Sequence, residues 1–562
     1  MIVKVFELLS KTENAKIINT KDIIGNKNIK KYNQVISVET ELSLKTGLKI
    51  IQFYIAIKEP CSVHLPKIYL DEKSYDELKY IPHVNDDLSI CVIEESENYL
   101  FNVEELPQIT IRLISRIKEV LRCIDEEELL INEFEREFQA YWNIQYSSKD
   151  KSQEIGLSLV NFENIENLKG IKFINEFGGY KYLVYNDIDK FNLFLDYLKL
   201  RKINYIEIKV YLVKFENYKP PYDYSIHKSL EYIKDISDLK NRINKLNASD
   251  FIIVFKNNYN ELFGWSYPLI NKVTKGFRPL SNWQFLNSKL SEQYNIERIS
   301  FANISPKRLD VRTSGIEINR DLKVAIIGLG SVGSNLLHHL MKYPISEYCL
   351  IDPDILKTEN VFRNKFGFNY LNNFKTTIGK YEILSKNPFT KVLSINENII
   401  DFLNNSSIAL EQYDYRFVIL GISRIEKYII EHLISINSSK PIILIWVEPY
   451  LASGQLIYLR PEDFKKGIDL IVDYPYHVLK KGQVLSKREG SCQTGYMPYS
   501  DMHLNLFLSS INMTLYNIIV EKENTNSKIF SWIGNVDELK RLDLDIDDKY
   551  ENKKFTVIEN DF

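Results

Sequence analysis

The sequence predicts a multidomain α/β protein with an N-terminal α+β domain, a middle α/β domain and a C-terminal doubly wound parallel sheet. With 562 residues and 44 % hydrophobic content, the chain is too long for one core and should form about three domains. Strand-like segments precede a long amphipathic helix near the N-terminus, and a strand, a glycine loop and a helix follow residue 320. We therefore expect domains at residues 1–150, 151–300 and 301–562.

The first domain is predicted from two strands and one helix. The segments LKIIQFYIAI and CSVHLPKIYL combine β-branched and aromatic residues at strand length, and the polar turn PHVNDD follows them. From Pro107 onward, apolar residues recur at three- and four-residue spacings, which predicts an amphipathic helix packed on the sheet. These residues are Ile111, Ile114, Ile117, Leu121 and Ile124. Cys123 lies in the same run, and we interpret it as structural.

The middle domain is predicted between two changes in composition. The polar stretch NIQYSSKDKSQE marks the first boundary, and ISPKRLDVRTSG marks the second. Between them, strand-like pieces such as YIEIKVYLV and FIIVFKNN alternate with helical ones such as DKFNLFLDYLKL. No motif for chemistry is visible there, so we expect a scaffolding role.

Composition excludes several classes of function. A net charge of −3 gives no reason to expect a nucleic-acid partner. No apolar run approaches the roughly 18 residues of a membrane span, and MIVKVFELLSKTENAK lacks a signal-peptide layout, so we expect a cytoplasmic protein. The five cysteines show no CxxC pair, which argues against structural zinc and disulfides. Of these, Cys61 and Cys349 are expected to be core thiols.

The segment KVAIIGLGSVGSNLLHHL predicts a nucleotide-binding βαβ unit. It places Gly328, Gly330 and Gly333 in GxGxxG spacing between a strand and a helix. The first glycine permits a tight turn, the second lets backbone approach phosphate, and the third allows close helix packing. Asp352 ends the next strand, where a carboxylate can bind a ribose. Alone, this pattern fits a dinucleotide dehydrogenase equally well.

The residues after Asp352 favour a different chemistry. Asn360 and Arg363 lie eight and eleven positions later, and Lys375 lies twelve beyond Arg363. This pattern resembles the ubiquitin-activating superfamily, which includes the thiamine- and molybdopterin-biosynthesis activators, over about residues 320 to 460. Hydride transfer needs none of these cations, whereas attack of a carboxylate on the α-phosphate of ATP brings two anions together. The remaining alternative is that the cations are surface residues.

The resemblance implies a role for each of these positions. Asn360 and Arg363 would bind the phosphates of ATP, Lys375 would span the α-phosphate and the leaving pyrophosphate, and Asp352 would hold the ribose. The superfamily carries a magnesium-binding Asp after the fourth strand, where this chain has Ser423. Either Asp354 or a water shell then takes over Mg²⁺, or adenylation is weakened.

Cys492 is the first candidate nucleophile. It lies in GSCQTGYMPYSDMHLNLFLSSI, where we expect a polar turn to lead into a helix whose N-terminus favours the thiolate. The spacing resembles that of the cysteine nucleophile in autophagy-type activating enzymes. The alternative is a small buried thiol, which the polar neighbours Ser491, Gln493 and Thr494 make less favourable.

Cys91 is the second candidate. The string IPHVNDDLSIC aligns without a gap with the ubiquitin-conjugating signature HPNxxxxGxxC, so that His83 takes the place of the asparagine and Cys91 that of the acyl-carrying thiol. By this resemblance, His83 would donate a hydrogen bond to the oxyanion that forms when an amine attacks the thioester. Leu88 replaces the glycine and Ile81 the first histidine. The alternative is a buried cysteine with His83 capping a turn.

The domain order resembles the fused activating and conjugating enzymes of bacterial anti-phage operons, known best from cyclic-oligonucleotide signalling (CBASS) systems. That resemblance implies a homodimer, an inactive adenylation-like middle domain, and a cGAS-like nucleotidyltransferase whose C-terminal carboxylate is joined to a target amine. A ubiquitin-like protein is the other candidate donor. Two alternatives remain open, namely a sulfur-carrier activator and a non-catalytic scaffold.

Overall fold

The computed structural model describes most of the chain, in two compact units. One unit comprises Met1–Asp187 and Asn204–Ser305, and the other comprises Ile188–Ile203 and Pro306–Phe562. The described residues are 1–23, 27–45, 47–78, 82–85, 87–91, 101–122, 125–143, 153–215, 225–234, 236–244, 251–267, 281–406, 408–488, 495–522, 526–560 and 562.

The N-terminal region is a five-stranded antiparallel sheet in the order β1 to β5, packed against helices. Its strands are β1 Asn14–Asn19, β2 Gln34–Leu44, β3 Gly47–Ala56, β4 Lys67–Leu70 and β5 Ser89–Ile90. Its helices are α1 Ile2–Leu9, α2 Glu72–Leu78, α3 Leu106–Arg122, α4 Glu127–Arg136 and α5 Phe138–Asn143. The sheet face and α3 form one core, because alternate strand residues and one side of the helix are apolar.

The predicted helix is confirmed, and one strand boundary is corrected. Helix α3 buries Ile114, Ile117 and Leu121 in the core, as the spacing predicted. Strand β4 begins at Lys67, so Cys61 lies in a turn instead of at a strand start. Pro60 explains this difference, because proline has no N–H for a strand ladder. Cys61 is nevertheless buried, as expected of a core thiol, whereas Cys123 lies outside the described residues.

The middle region is a closed barrel of mixed strand direction. Around the barrel the strand order is β10-β11-β12-β6-β8-β7-β9. These strands are β6 Gln153–Leu159, β7 Lys169–Phe177, β8 Tyr180–Tyr185, β9 Tyr205–Leu212, β10 Phe251–Lys256, β11 Leu262–Ser266 and β12 Glu297–Asn303. The helices α7 Ile226–Ser229, α8 Ile236–Asn244 and α9 Asn282–Leu286 lie in its connections, whereas α6 Ile188–Leu200 belongs to the other unit.

The barrel is joined to the N-terminal region through α5. The indole of Trp142 donates a hydrogen bond to the carbonyl of Ile299 at 3.1 Å, and Arg298 donates to the carbonyl of Trp142 at 2.7 Å. Phe138 packs edge-on against Phe263 in the same aromatic core. Since buried polar groups need partners, these bonds fix the position of α5 on the barrel wall.

The C-terminal region is an eight-stranded sheet whose first five strands are parallel, in the order β15-β14-β13-β16-β17. Its strands are β13 Leu322–Ile327, β14 Ile345–Ile351, β15 Lys391–Ile395, β16 Tyr415–Val418, β17 Ile442–Val447, β18 Ser453–Leu459, β21 Lys528–Asn535 and β22 Lys554–Asn560. A separate ladder pairs β19 Lys487–Arg488 with β20 Gly495–Tyr496. The helices are α10 Pro306–Ser314, α11 Ser331–Leu340, α12 Lys375–Lys386, α13 Ile399–Asn405, α14 Ser423–Ser435, α15 Phe464–Val472, α16 Asp501–Ile519 and α17 Val536–Arg541.

The predicted fold class is confirmed, and β13 shows its physical basis. Val324 and Ile326 enter the core on one side of the sheet, and Ala325 and Ile327 enter the core on the other. A parallel strand covered on both faces has a continuous apolar sequence, which is what KVAIIG shows. Over the described part of the chain, no helix combines the length and apolar character needed to cross a bilayer.

Candidate functional site

The glycine loop connects β13 to α11, and close backbone contacts explain its composition. Gly328 has φ +94°, and a Cβ there would lie 2.5 Å from the carbonyl oxygen of Ile419. A Cβ on Gly333 would lie 2.0 Å from the carbonyl oxygen of Gly328. A Cβ on Gly330 would meet no heavy atom within 4 Å. The first and third glycines are therefore required by packing, and the second leaves space beside the helix N-terminus.

Asp352 lies under the loop at the end of β14. Its carboxylate accepts hydrogen bonds from the backbone amides of Leu329 at 2.6 Å and Asp354 at 2.8 Å. Burial raises the pKa of this carboxyl, and the nearby Lys375 and the two backbone hydrogen bonds oppose that shift. Asp352 thus ties the glycine loop to the β14 terminus.

Lys375 is the first residue of α12 and is buried. Its ammonium lies 2.8 Å from Oδ2 of Asp354 and 3.9 Å from Oδ1 of Asp352. The side chain of Lys375 is only 7 % exposed, whereas that of Asp354 is 67 % exposed. A cation held at this depth by two carboxylates is not a surface lysine, so the predicted alternative of a surface cation does not describe it.

Several of the predicted residues meet at one cavity of about 250 Å³. Its walls are formed by Gly330, Ser331, Asn360, Arg363, Asn364, Lys375, Met497 and Tyr499. The Arg363 guanidinium lies over the Tyr499 ring, 5.6 Å from its centroid, and 3.4 Å from the carbonyl oxygen of Met497. The backbone carbonyl of Arg363 accepts hydrogen bonds from Ser331 and Asn335 on α11. The loop that carries Arg363 is thereby fixed to the helix that follows the glycines.

This cavity has the features of an anion site. The N-terminus of α11 opens on it without a side-chain cap, and backbone N–H groups at a helix N-terminus attract phosphate. Lys375 and Arg363 add two cations to the same wall. Asn360, at the end of a short helical turn, adds an amide. A polyphosphate fits this donor set, because its charge needs both cations and backbone donors.

Position 423, where the resemblance would place a magnesium-binding Asp, has a different arrangement. Ser423 is the first residue of α14 and is exposed. One turn later Glu426 is buried, and burial raises the pKa of its carboxyl to about 7. Backbone amides of Ile422 and Gly421 donate to that carboxylate and oppose the shift. No cluster of three or more His, Cys, Asp or Glu side chains suited to a metal occurs among the described residues.

Cys91 and His83 lie together in the N-terminal region. Cys91 is exposed at the end of β5, and its backbone N–H donates to the carbonyl of His83 at 2.9 Å. His83 has φ +71° and Leu88 has φ +69°. The conformation at position 88 is one that favours glycine, which is the residue of the signature there. Leu88 therefore adopts a backbone conformation that a glycine at this position would adopt at lower cost.

The surroundings of Cys492 differ from the expectation in one respect. Cys492 itself and Ser491, Gln493 and Thr494 lie outside the described residues, as does Ile81. Helix α16 begins at Asp501, and strand β20 lies between it and position 492. A helix thus follows the cysteine in the chain as expected, but β20 separates the two, and the effect of the helix N-terminus on the thiol stays a prediction. Pro498 contributes to the late start, because the residue before a proline disfavours helical geometry.

Two groups of site residues were missed in the sequence. Tyr499 and Met497 line the cavity at the N-terminus of α11, and no motif marks either of them. Two glutamates face His83. Glu137, just after α4, has Oε1 2.9 Å from Nδ1 of the imidazole, and Glu133, within α4, has Oε2 3.7 Å from Nε2. The pair of glutamates one helical turn apart was visible, but nothing local linked it to a histidine fifty-four positions earlier.

Comparison with known proteins finds a family model that matches the N-terminal region. Residues 16–150 match the Prokaryotic E2 family B, a stretch that includes Cys91, His83 and both glutamates. No curated protein matches the chain.

Comparison with solved structures finds partial matches at low identity and low TM-score. A crystal structure of PaaA is 14 % identical, with a TM-score of 0.30, and the match covers 44 % of this chain and 65 % of PaaA. MccB from E. coli is 16 % identical, with a TM-score of 0.29, over 43 % of this chain and 63 % of MccB. Another crystal structure is of E. coli MccB with ATP, at 16 % identity, a TM-score of 0.28, and 43 % and 64 % coverage. The chain thus spans less than two thirds of the length of these proteins. The fold of its C-terminal region is therefore described from its own strand order and loop geometry.

Proposed function

We propose that this chain uses ATP to activate the C-terminal carboxylate of a protein, and passes the acyl group through Cys492 and Cys91 to an amine. The observation that carries the proposal is the convergence of Asn360, Arg363 and Lys375 on the cavity at the N-terminus of α11. Hydride transfer would use neither the buried ammonium of Lys375 nor the guanidinium of Arg363. Adenylation brings a carboxylate to the α-phosphate of ATP, and the charge of both anions must be neutralised.

The residues of the cavity divide the work of adenylation. The amides at Gly330 and Ser331 and the guanidinium of Arg363 would hold the phosphates, and Lys375 would neutralise charge between the α-phosphate and the leaving pyrophosphate. Asp352 would receive the ribose hydroxyls. Asp354 would hold Mg²⁺, since one exposed carboxylate plus phosphate oxygens and water is a common magnesium set. The ion would supply further neutralisation of phosphate charge.

The thiols complete the proposed pathway. Cys492 would attack the acyl adenylate and release AMP, and Cys91 would receive the acyl group by thioester exchange. The match of residues 16–150 to the Prokaryotic E2 family B supports the second thioester. Cytoplasm is the proposed compartment, because thiols that carry acyl groups must stay reduced.

The proposed donor is a cGAS-like nucleotidyltransferase of an anti-phage CBASS operon, with a ubiquitin-like protein as the alternative. We also propose a homodimer. Support for it comes from α16, where exposed apolar side chains recur along one side of the helix in the described chain. These side chains are Met502, Leu506, Met513 and Tyr516. Light scattering of the purified chain tests the dimer, and a monomer at micromolar concentration would contradict it.

Pyrophosphate exchange tests the activation step. The chain would be incubated with ATP, radiolabelled pyrophosphate and a purified cGAS-like nucleotidyltransferase, or the same protein lacking its C-terminal tail. We expect label in ATP with the complete donor alone. A sulfur-carrier activator would give exchange without an adduct on Cys91, and a scaffold would give no exchange with any donor.

A further inference from the structure

Glu137, the residue that follows α4, contacts His83 at two points. Its Oε1 lies 2.9 Å from Nδ1 of the imidazole, and its Oε2 accepts a hydrogen bond from the backbone N–H of His83 at 3.2 Å. The hydroxyl of Tyr141 donates to the same Oε2 at 3.4 Å. One carboxylate thus fixes both the ring and the backbone of a residue in a positive-φ conformation, which is uncommon outside glycine.

The same histidine is bonded to the backbone of Cys91. The carbonyl of His83 accepts from the N–H of Cys91 at 2.9 Å, and Val84 pairs with Ile90 next to it. A displacement of His83 would therefore move the segment that presents the thiol. Glu137 acts on this segment from a position fifty-four residues later in the chain.

Charged groups around the ring determine its protonation. The hydrogen bond to Glu137 is the largest cause of a raised pKa for His83, and the charges of Glu137 and Glu133 add to it. Burial and the charge of Arg136 lower the pKa of His83. Nε2 lies 3.7 Å from Glu133 Oε2, which is longer than a direct hydrogen bond, so this N–H is not committed to that carboxylate.

We propose that Glu137 is a positioning residue that holds the His83 ring beside the segment that carries Cys91, with Nε2–H directed to the oxyanion of thioester aminolysis. This inference rests on the proposed function. The neutral amine attacks the thioester carbonyl carbon, a C–N bond forms, and the carbonyl electrons move to oxygen. The oxyanion then collapses, the C–S bond breaks, Cys91 leaves as thiolate, and the extra proton on nitrogen passes to water. His83 donates a hydrogen bond throughout and transfers no proton.

Titration of His83 tests the positioning without any acyl donor. The full chain would be labelled with 13C at the histidine ring, and His83→Gln would assign the resonance among the eight histidines. We expect the pKa of His83 to lie above 6.5 in the parent chain and below 6.5 in Glu137→Gln, because burial then becomes the largest remaining cause. Glu133→Gln should lower the pKa less. An unchanged pKa in Glu137→Gln would overturn the proposal.

Discharge of the Cys91 thioester tests the consequence for the reaction. Single-turnover discharge to free lysine would be followed from pH 6 to pH 9. At pH 7.5 we expect Glu137→Gln to lose on the order of a hundredfold in rate, the effect of one oxyanion donor, and Glu137→Asp to recover part of it. Glu133→Gln is the matched control and should lose far less.

The two measurements separate the failures. If the pKa of His83 fell in Glu137→Gln while discharge at pH 7.5 kept the parent rate, the proposed role in the reaction would be overturned. If Cys91 never carried an acyl group, the proposed function would fail, and the titration alone would decide whether Glu137 positions His83. Circular dichroism of each variant checks that the N-terminal fold is retained.

Discussion

The same substitution at the second and third glycines of the glycine loop should impair two different properties of the protein. Gly333→Ala places a Cβ 2.0 Å from the carbonyl oxygen of Gly328, whereas Gly330→Ala places it in open space at the phosphate cavity. The first change should therefore weaken folding, and the second should weaken nucleotide binding. Gly367→Ala is a control with φ −87° and no neighbour within 4 Å, and it should do neither.

The magnitudes follow from the contacts. For Gly333→Ala the two atoms must separate by about 1.4 Å to reach the 3.4 Å of an ordinary contact, and both lie on backbone that cannot rotate away. Overpacking of this kind costs about 1–3 kcal/mol, and alanine returns about 1 kcal/mol through helix propensity. Because both atoms belong to the backbone, we expect the upper end of the difference, a net loss of about 2 kcal/mol in the free energy of unfolding. Gly330→Ala should lose under about 1 kcal/mol, since its φ of −63° suits alanine.

Two assays separate the effects. Urea denaturation followed by tryptophan fluorescence gives the free energy of unfolding, and isothermal titration calorimetry with ATP gives the dissociation constant. For Gly330→Ala we expect at least a tenfold weaker affinity, about 1.4 kcal/mol. Parent-like ATP affinity in this variant would refute the idea that backbone at Gly330 approaches phosphate, and parent-like stability in Gly333→Ala would refute the close approach to Gly328.

Three further predictions concern charged groups in the C-terminal unit. Lys375→Met should reduce the rate of pyrophosphate exchange by on the order of a hundred- to a thousandfold. Lys386→Met, at the exposed end of the same helix, is the control and should leave the exchange rate unchanged. Equal rates for the two variants would contradict the role of Lys375. Arg416→Ala should lower the free energy of unfolding by about 3–5 kcal/mol, because it leaves the Glu411 carboxylate, 2.6 Å from the guanidinium, without its buried partner; a urea midpoint equal to the parent's would contradict this. Glu426 has a folded-state pKa of about 7 against an unfolded value of 4.5, so the free energy of unfolding falls as pH rises from about 4.5 to 7 and is constant above. Glu426→Gln should remove that loss, which is about 3 kcal/mol at pH 8 and little at pH 4. The same difference in urea midpoint between variant and parent at both pH values would refute this prediction.

Local patterns in the sequence predicted the strand, the glycine loop and the helix that surround the cavity. Strand β13, the glycines and α11 are contiguous, and close backbone contacts with Ile419 and Gly328 explain the glycines at 328 and 333. Arg363 and Lys375 follow at a spacing that carried the resemblance, and both reach the cavity. Such features depend on neighbours in sequence, so one chain is enough to predict them.

Features that depend on distant residues were not predicted. Tyr499 and Met497 close the cavity from more than a hundred positions beyond Lys375, and Glu137 reaches His83 across the first domain. Barrel closure requires β12 to pair with β6, and single-strand patterns give no information on that register. The role of Cys492, the inactive adenylation-like character of residues 151–300 and the magnesium role of Asp354 stay predictions.

Intact-mass analysis of trapped thioesters tests the central claim most directly. The chain, its Cys91→Ala variant and its Cys492→Ala variant would each be mixed with ATP and the proposed nucleotidyltransferase donor, then quenched at low pH with or without dithiothreitol. We predict a dithiothreitol-sensitive adduct on Cys492 in Cys91→Ala, and no adduct on Cys91 in Cys492→Ala. Amine-linked product from both variants would show that the acyl group does not travel through these two cysteines.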